Sequence, residues 1–151
     1  MITIINFEMQ FAEDFRQLNL YWLQHFQLLE APDLVVINNP QGEIIDKGGY
    51  IYLAKAGDII VGTAGLLKET PTQYELVKMG VAPSFQGRGI SKLLMDACLQ
   101  KAATVGAKRI YLQSNSQLTT AIALYTKYGF KHIPVKDAHY VTADVMMELL
   151  M

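Results

Sequence analysis

Residues 81–92 read VAPSFQGRGISK, and this stretch determines the fold. A strand-like run precedes it, a helical pattern follows it, and Gly87 and Gly89 stand where the helix begins. A helix start leaves main-chain N–H groups without partners and carries about half a positive charge. Glycine lacks the Cβ that would hold an anion away from these amides, and Arg88 and Lys92 add cations beside them. The pattern predicts a phosphate or pyrophosphate cradle, but a helix start with glycines for tight packing and solvated basic side chains explains it equally well.

Two common nucleotide-binding motifs do not fit this stretch. A P-loop requires Lys and then Ser or Thr after its last glycine, whereas Ile90 and Ser91 follow Gly89. A Rossmann fingerprint requires Gly or Ala at the position of Lys92, and an acidic residue after the next strand, near Gln113. Both nucleotide-binding interpretations therefore fail.

Composition limits the class of protein without giving its function. The chain has 151 residues, of which 51% are hydrophobic and 18% are charged, and its formal net charge is −1. These values favour one folded domain over residues 1–151, exclude intrinsic disorder, and disfavour broad attraction to nucleic acid or an anionic membrane. The richest apolar stretch, residues 59–67, is shorter than the roughly 20 residues of a spanning helix. With one cysteine, no Cys/His cluster and no signal-like start, we expect a cytoplasmic protein without disulfide or metal.

Hydrophobic periodicity predicts alternating strands and helices along the chain. The predicted strands cover residues 1–7, 50–55, 59–67, 74–82, 109–113, 130–135 and 141–150. The predicted helices begin near Glu13, Arg88 and Leu118, with two short helices around residues 32–40. This order of elements indicates an α/β or α+β fold in which helices pack on a mixed sheet.

Several blocks of this sequence resemble the GNAT N-acetyltransferase superfamily. The run QGRGIS at residues 86–91 resembles the family's pyrophosphate loop, usually written [QR]-x-x-G-x-[GA]. Residues 75–81 look like its central acetyl-CoA strand, and LQSN at 112–115 followed by AIALYTKYGF at 121–130 is similar to its second block. The resemblance covers about residues 74–134, and several blocks in order form a specific signal.

This resemblance implies a fold and an activity. The expected fold is a single GNAT-like domain with a central, mostly antiparallel sheet of about six to seven strands and about four helices. The expected reaction moves the acetyl group of acetyl-CoA to a primary amine of a small molecule or a peptide, without a metal ion. An acyl-CoA-binding sensor or interaction module on the same fold is the alternative. A homodimer is compatible with either function.

The resemblance also implies which residues hold the cofactor. The main chain of Met79 and Val81 would line the pantetheine arm, and the Val81 N–H would polarise the thioester carbonyl. The pyrophosphate would be held by main-chain amides of the loop, which comprises Gln86, Gly87, Arg88, Gly89, Ile90 and Ser91. Ser91 stands where the family has Gly or Ala, but a small side chain fits there. Asn115 would contact the cofactor or serve as a turn or helix-cap residue, and Lys127 would contact a phosphate or remain solvated.

Two side chains are the candidate catalytic groups. The resemblance makes Tyr125 a general acid for the departing coenzyme A sulfur; the alternative is a core tyrosine with a hydrogen-bonded hydroxyl. Glu75, at the start of the cofactor strand, is the candidate general base; the alternative is a strand-edge glutamate that faces solvent. Tyr74, His139 and Tyr140 are weaker candidates for the same role.

Aromatic residues of the first helix, Tyr21, Trp22 and Phe26, would border the acceptor pocket according to the resemblance. An aromatic stripe on a helix is more often part of the core. Cys98 lies among apolar helical residues, so inert packing is expected for it rather than nucleophilic catalysis.

Overall fold

One seven-stranded sheet runs through the computed structural model, which describes all residues from Met1 to Met151. The strands are β1 (Ile2–Asn6), β2 (Tyr50–Ala56), β3 (Ile59–Thr70), β4 (Gln73–Val81), β5 (Arg109–Ser114), β6 (Lys131–Ile133) and β7 (Val145–Leu150). The helices are α1 (Ala12–His25), α2 (Ala31–Asn38), α3 (Ile90–Thr104) and α4 (Thr119–Lys127), with a π-helical turn at Gln41–Ile45. The spatial order is β1-β2-β3-β4-β5-β7-β6, and every neighbouring pair is antiparallel except β4 and β5. The predicted mixed, mostly antiparallel sheet with four helices is confirmed.

The two faces of the sheet carry separate hydrophobic clusters. The cluster on the α3 and α4 face includes Leu94 and Cys98 from α3, and Leu66 and Leu112 from the strands. The smaller cluster on the α1 and α2 face is centred on Phe15. Apolar residues that recur every three or four positions in α3 make its inner face, as the periodicity predicted.

Several element boundaries differ from the prediction, and two of these differences have a clear local reason. Helix α3 begins at Ile90 rather than near Arg88, because Gly89 adopts a left-handed conformation with φ of 78°. Strand β7 begins at Val145 rather than at residue 141, because residues 141–144 form a turn. Side-chain carboxylates hold that turn, and their hydrogen bonds replace strand pairing.

A gap between β4 and β5 positions the site. These strands pair only through Gln73–Glu75 and residues 109–111, and β5 afterwards pairs with β7 alone. Strand β4 also bulges, since Gly80 pairs with Thr63 whereas Val77 pairs with Gly65, and Lys78 within the bulge has φ of 52°. The sheet therefore opens at the carboxyl ends of two parallel strands, where ligands bind in many α/β proteins.

Candidate active site

The gap between β4 and β5 leads into a cleft of about 900 Å³. Its walls come from both strands, the start of α3, helix α4 and the end of α1. The cleft brings together most of the residues predicted from the sequence: Glu75, Met79, Val81, Gln86, Gly87, Gly89, Ile90, Ser91, Asn115, Tyr125 and Lys127. Arg88 does not line the cleft, because its guanidinium lies over the ring of Phe85, 4.9 Å from the centroid.

The loop before α3 presents a row of free hydrogen-bond donors. The main-chain N–H groups from Gly87 to Lys92 have no main-chain acceptor, and no side chain caps the helix. A Cβ added to Gly87 or Gly89 would meet nothing within 4 Å, so tight packing does not explain these glycines. Both have φ of 78°, a left-handed conformation that favours glycine. The loop thus fits a bound pyrophosphate, which would accept hydrogen bonds from consecutive amides.

Gln86 lies outside this row of free amides. Its main-chain N–H donates to the carbonyl of Pro83, and its side-chain Nε2 donates to the carbonyl of Val81, each at 3.3 Å. Beside it, the N–H of Ala82 donates to Val61 on the β3 side. Since successive N–H groups of a strand point to opposite edges, the N–H of Val81 points towards the cleft.

A buried polar network holds the bulge of β4. The hydroxyl of Thr63 donates to the carbonyl of Lys78 at 2.9 Å and accepts from Asn19 Nδ2 at 3.2 Å. Asn19 Oδ1 accepts in turn from the indole N–H of Trp22 at 3.0 Å. The Trp22 ring packs so closely on Gly80 that a Cβ there would lie 2.6 Å from the ring. Gly80 therefore makes room for Trp22, while Lys78 carries the left-handed conformation of the bulge.

The aromatic residues of α1 divide between the cleft and solvent. Trp22 and Phe26 line the cleft. That they border an acceptor pocket stays a prediction. Tyr21 is exposed and stacks on His25, with 5.9 Å between the ring centroids. Only two of the three predicted aromatics therefore border the site.

Glu75 is a buried carboxyl in the wall of the cleft. It is only 6% exposed, so the solvent-facing alternative for this residue is wrong. Gln113 Nε2 donates to it at 3.0 Å, and the Tyr111 hydroxyl lies 3.5 Å away. Burial raises the pKa of Glu75 to about 7, although the hydrogen bond from Gln113 favours the charged form. Near neutral pH this carboxyl can therefore both accept and release a proton.

Tyr125 extends from α4 into the same cleft and is 8% exposed. Its ring packs against Phe130, with 5.9 Å between the centroids, but its hydroxyl has no hydrogen-bond partner in the protein. No fully buried side-chain polar atom of the structure lacks a partner, so this hydroxyl reaches the open space of the cleft. Burial raises the pKa of Tyr125 to about 12, which keeps the hydroxyl protonated at neutral pH.

Two predicted contact residues have different surroundings. The side chain of Asn115 is engaged, because Nδ2 donates to the carbonyl of Thr142 at 2.8 Å and Oδ1 accepts from the N–H of Gln117 at 2.9 Å. These contacts favour the turn role, at the edge of the cleft. The exposed Lys127 lines the cleft from α4 and forms no ion pair.

A buried ion pair that the sequence did not predict lies beside Glu75. Lys78 Nζ lies 2.6 Å from Asp33 Oδ1 and donates to the Tyr140 hydroxyl at 3.2 Å. Burial lowers the pKa of Lys78, but Tyr140 and Asp33 outweigh this effect and raise it overall. A lysine among the apolar residues of β4 was the available signal, whereas Asp33 gave none.

The weaker candidates separate in the structure. Tyr74 is buried in the α3-side cluster and lines neither cleft, so it is wrong as a catalytic candidate. His139 and Tyr140 line a second cleft of about 550 Å³ on the α2 side. Four residues line both clefts and so lie between them: Glu75, Val77, Lys78 and Tyr140. Burial raises the pKa of Cys98 to about 12, which makes an inert thiol.

No group of three or more His, Cys, Asp or Glu side chains is arranged to hold a metal ion. None of the helices has the length and apolar character needed to cross a membrane.

The fold and the cleft define a GNAT-type acyltransferase. Residues 12–130 match the Acetyltransferase (GNAT) family, and this match covers well over half of the sequence. The chain therefore belongs to that family, and the resemblance noted from the sequence is confirmed.

Similar sequences come from several bacteria. An uncharacterised N-acetyltransferase of Bacillus subtilis (strain 168), YvbK, is 33% identical over 105 residues, which are 68% of this chain and 68% of that protein. YjgM, an uncharacterised N-acetyltransferase of Escherichia coli (strain K12), is 38% identical over 95 residues, 60% of this chain and 57% of that protein. The N-alpha-acetyltransferase RimI of Mycobacterium tuberculosis is 32% identical over 101 residues, 65% of this chain and 62% of that protein. The matched stretch thus spans about three fifths to two thirds of these relatives.

Solved structures share the fold across the whole chain. A GNAT-family acetyltransferase of Staphylococcus aureus Mu50 superposes with a TM-score of 0.86 at 22% identity, and covers 98% of both chains. The PaiA N-acetyltransferase of Thermoplasma acidophilum, solved in complex with coenzyme A, gives a TM-score of 0.79 at 16% identity, with 100% of this chain and 99% of that chain covered. At these identities the likeness establishes the fold.

Proposed function

We propose that the protein transfers the acetyl group of acetyl-CoA to a primary amine, by direct attack of the amine on the bound thioester. The observation that carries this proposal is one cleft that combines free loop amides, a free Tyr125 hydroxyl and a buried Glu75 carboxyl. The relative from Mycobacterium tuberculosis is named an N-alpha-acetyltransferase, and a relative from Salmonella typhimurium is named for the alanine of a ribosomal protein. Both names support an amine acceptor.

The loop and β4 would bind the donor. Acetyl-CoA supplies the activated acetyl group as a thioester. Main-chain N–H groups from Gly87 to Lys92 would hold its pyrophosphate, and Lys127 would stand near the phosphates. The free edge of β4 at Met79 and Val81 would hold the pantetheine arm, and the N–H of Val81 would stabilise negative charge on the carbonyl oxygen. Asn115 would hold the wall of the cleft beside the arm through its hydrogen bonds with Thr142 and Gln117.

Two side chains would move the protons. Glu75, with a pKa of about 7, would accept a proton from the acceptor ammonium, so that the nitrogen lone pair can form the new bond to the acetyl carbon. As the carbon–sulfur bond breaks, Tyr125 would donate its hydroxyl proton to the departing sulfur. The nitrogen, which carries a positive charge after attack, would release its second proton to the Tyr125 phenolate and so restore the phenol as the amide forms. Because both groups face the cleft, this function is favoured over an acyl-CoA-binding module without turnover.

Two tyrosine variants test the proposal, one within α4 and one at the residue that directly follows it. Tyr125→Phe removes the free hydroxyl, and we expect kcat for thiol release from acetyl-CoA to fall on the order of 100-fold. Binding of coenzyme A, measured as a rise in Tm, should persist because the loop is unchanged. Tyr128→Phe is the matched control, since the Tyr128 hydroxyl donates to Asp96 at 2.6 Å and lies outside the cleft.

Full turnover by Tyr125→Phe, or an equal loss in both variants, would contradict the acid role. If acetyl-CoA raised Tm but no amine in a broad panel gave turnover, the binding-module function would replace the transferase.

A further inference from the structure

The second cleft lies between α2, the π-helical turn Gln41–Ile45 and residues His139 and Tyr140. It shares Glu75 and Lys78 with the main cleft, so it reaches the candidate base from the face opposite α3 and α4. The loop amides and Tyr125 line only the main cleft. An acceptor in the second cleft would thus meet Glu75 without entering the space that the donor needs.

Of the charged side chains that line the second cleft, both lysines form ion pairs, and one of the two glutamates does not. Lys47 forms an ion pair with Glu43 at 2.8 Å, and Lys78 forms one with Asp33 at 2.6 Å. Glu75 forms no ion pair, and its partner Gln113 is neutral. Glu75 is therefore the one acidic group of this cleft without a cationic partner, and it lines both clefts.

The remaining wall of this cleft is largely apolar. The apolar lining residues are Ala31, Pro32, Val35, Val36, Ile44, Leu67 and Val77. Val35 is 54% exposed on α2, so its side chain stands at the mouth rather than in the packed core. Apolar walls around one carboxyl complement a nonpolar body that carries one ammonium group.

We propose that the second cleft is the acceptor subsite, and that it selects a primary alkyl- or arylalkylamine with no second charged group. This inference rests on the proposed acetyl transfer. The ammonium would lie at Glu75, and the hydrocarbon body would pack against α2. A second ammonium, at the other end of the amine, would lose its hydration against the apolar walls. A carboxylate there would lose its hydration against the same walls.

Three amines with one carbon skeleton test this selectivity: n-hexylamine, 1,6-diaminohexane and 6-aminohexanoate. We expect kcat/KM for n-hexylamine to exceed that of each charged analogue at least tenfold. Val35→Asp puts a carboxylate at the mouth of the cleft, and should lower kcat/KM for n-hexylamine about tenfold. The ratio of kcat/KM for n-hexylamine to kcat/KM for 1,6-diaminohexane should become smaller in this variant. Ile59→Asp is the matched control, since Ile59 is 62% exposed and lines neither cleft.

The outcomes distinguish the subsite from the transfer itself. If either charged analogue matched or exceeded n-hexylamine, the proposed selectivity would be overturned while acetyl transfer stood. If no amine gave turnover, the transfer would be overturned, and Tm of the protein saturated with coenzyme A would decide the subsite. A Tm rise with n-hexylamine that Val35→Asp abolishes and Ile59→Asp retains supports the subsite. No rise, or a rise unaffected by Val35→Asp, overturns it.

Discussion

Glu75 shows how one residue's surroundings determine its chemistry. An exposed glutamate would be charged at neutral pH and too weak a base for an ammonium. Burial raises the pKa of Glu75 from 4.5 to about 7, and the nearby Glu69 adds to the effect. The carboxyl is thereby a stronger base. At pH values between 4.5 and about 7, the folded protein keeps a proton on Glu75 that the unfolded chain has released.

The sign of this shift gives a stability prediction. Because the folded state binds the extra proton, the free energy of unfolding from this group falls as pH rises from 4.5 to about 7, by up to about 3 kcal/mol. Glu75→Gln cannot titrate, so its stability relative to the wild type should increase across that range. Urea denaturation of both proteins at a series of pH values measures the difference, and common contributions from other groups cancel. A constant difference would show that Glu75 ionises with an ordinary pKa.

The same substitution should change activity in a different way. We expect kcat/KM of the wild type to rise as pH increases through about 7, because Glu75 must lose its proton to act as a base. In Glu75→Gln, kcat should fall at least 100-fold, and kcat/KM should no longer rise with pH in this range.

At the scale of the element, the loop before α3 uses glycine for conformation rather than for packing. Gly87→Ala should cost about 1 kcal/mol of unfolding free energy, because alanine is strained at φ of 78°. Gly57, in the turn between β2 and β3, has φ of 59° and equally open surroundings, so Gly57→Ala is a matched control for strain. Only Gly87→Ala should also weaken coenzyme A binding, by about tenfold, because it disturbs the free amides. Titration calorimetry measures the affinity of the two variants for coenzyme A. Equal affinity would contradict the proposal that the loop amides bind the pyrophosphate.

Local pattern predicted most elements, because apolar periodicity and glycine or proline boundaries are properties of neighbouring residues. The end of the chain shows the limit, because residues 141–144 were predicted as part of a strand but form a turn. The distant Glu30 carboxylate accepts from Thr142, and the Asp144 carboxylate accepts from Ser116, and these contacts hold the turn. The resemblance to a family indicated the cleft residues, but the pairing of Lys78 with Asp33 depends on a bulge and on 45 positions of separation. No local pattern encodes such a contact. Likewise, the free hydroxyl of Tyr125 became evident only from its surroundings.

At the scale of the whole molecule, the connection between α1 and α2 contacts the connection between β6 and β7, far away in the sequence. Glu30, just before α2, accepts hydrogen bonds from the N–H groups of Val141 and Thr142, each at 2.9 Å, and from the Thr142 hydroxyl at 2.6 Å. The connection between β6 and β7 also carries His139 and Tyr140, which line the second cleft. One carboxylate therefore joins the α1–α2 connection to the wall of the proposed acceptor subsite.

Loss of this contact should loosen the connection between β6 and β7. Glu30→Gln keeps the shape of the side chain, but it retains one acceptor oxygen and gains an NH₂ group that cannot accept from Val141 or Thr142. We expect faster hydrogen exchange at these two amides and a several-fold higher KM for the amine, with unchanged affinity for coenzyme A, whose cradle lies elsewhere. Glu8→Gln is the control, since the exposed carboxylate of Glu8 accepts only from Gln10, two positions away.

The charge of Glu30 adds a pH test to the same variant. Burial alone would raise the pKa of Glu30, but the hydrogen bonds from Thr142 and Val141 outweigh it and lower the pKa. A lowered folded pKa means that the stabilisation is present above the ordinary value and is lost as pH falls through the folded value. Protection of the Val141 and Thr142 amides should therefore decrease on acidification in the wild type and be low at every pH in Glu30→Gln. If protection were equal in the two proteins, residues 134–144 would be held by Lys78 and Tyr140 rather than by Glu30.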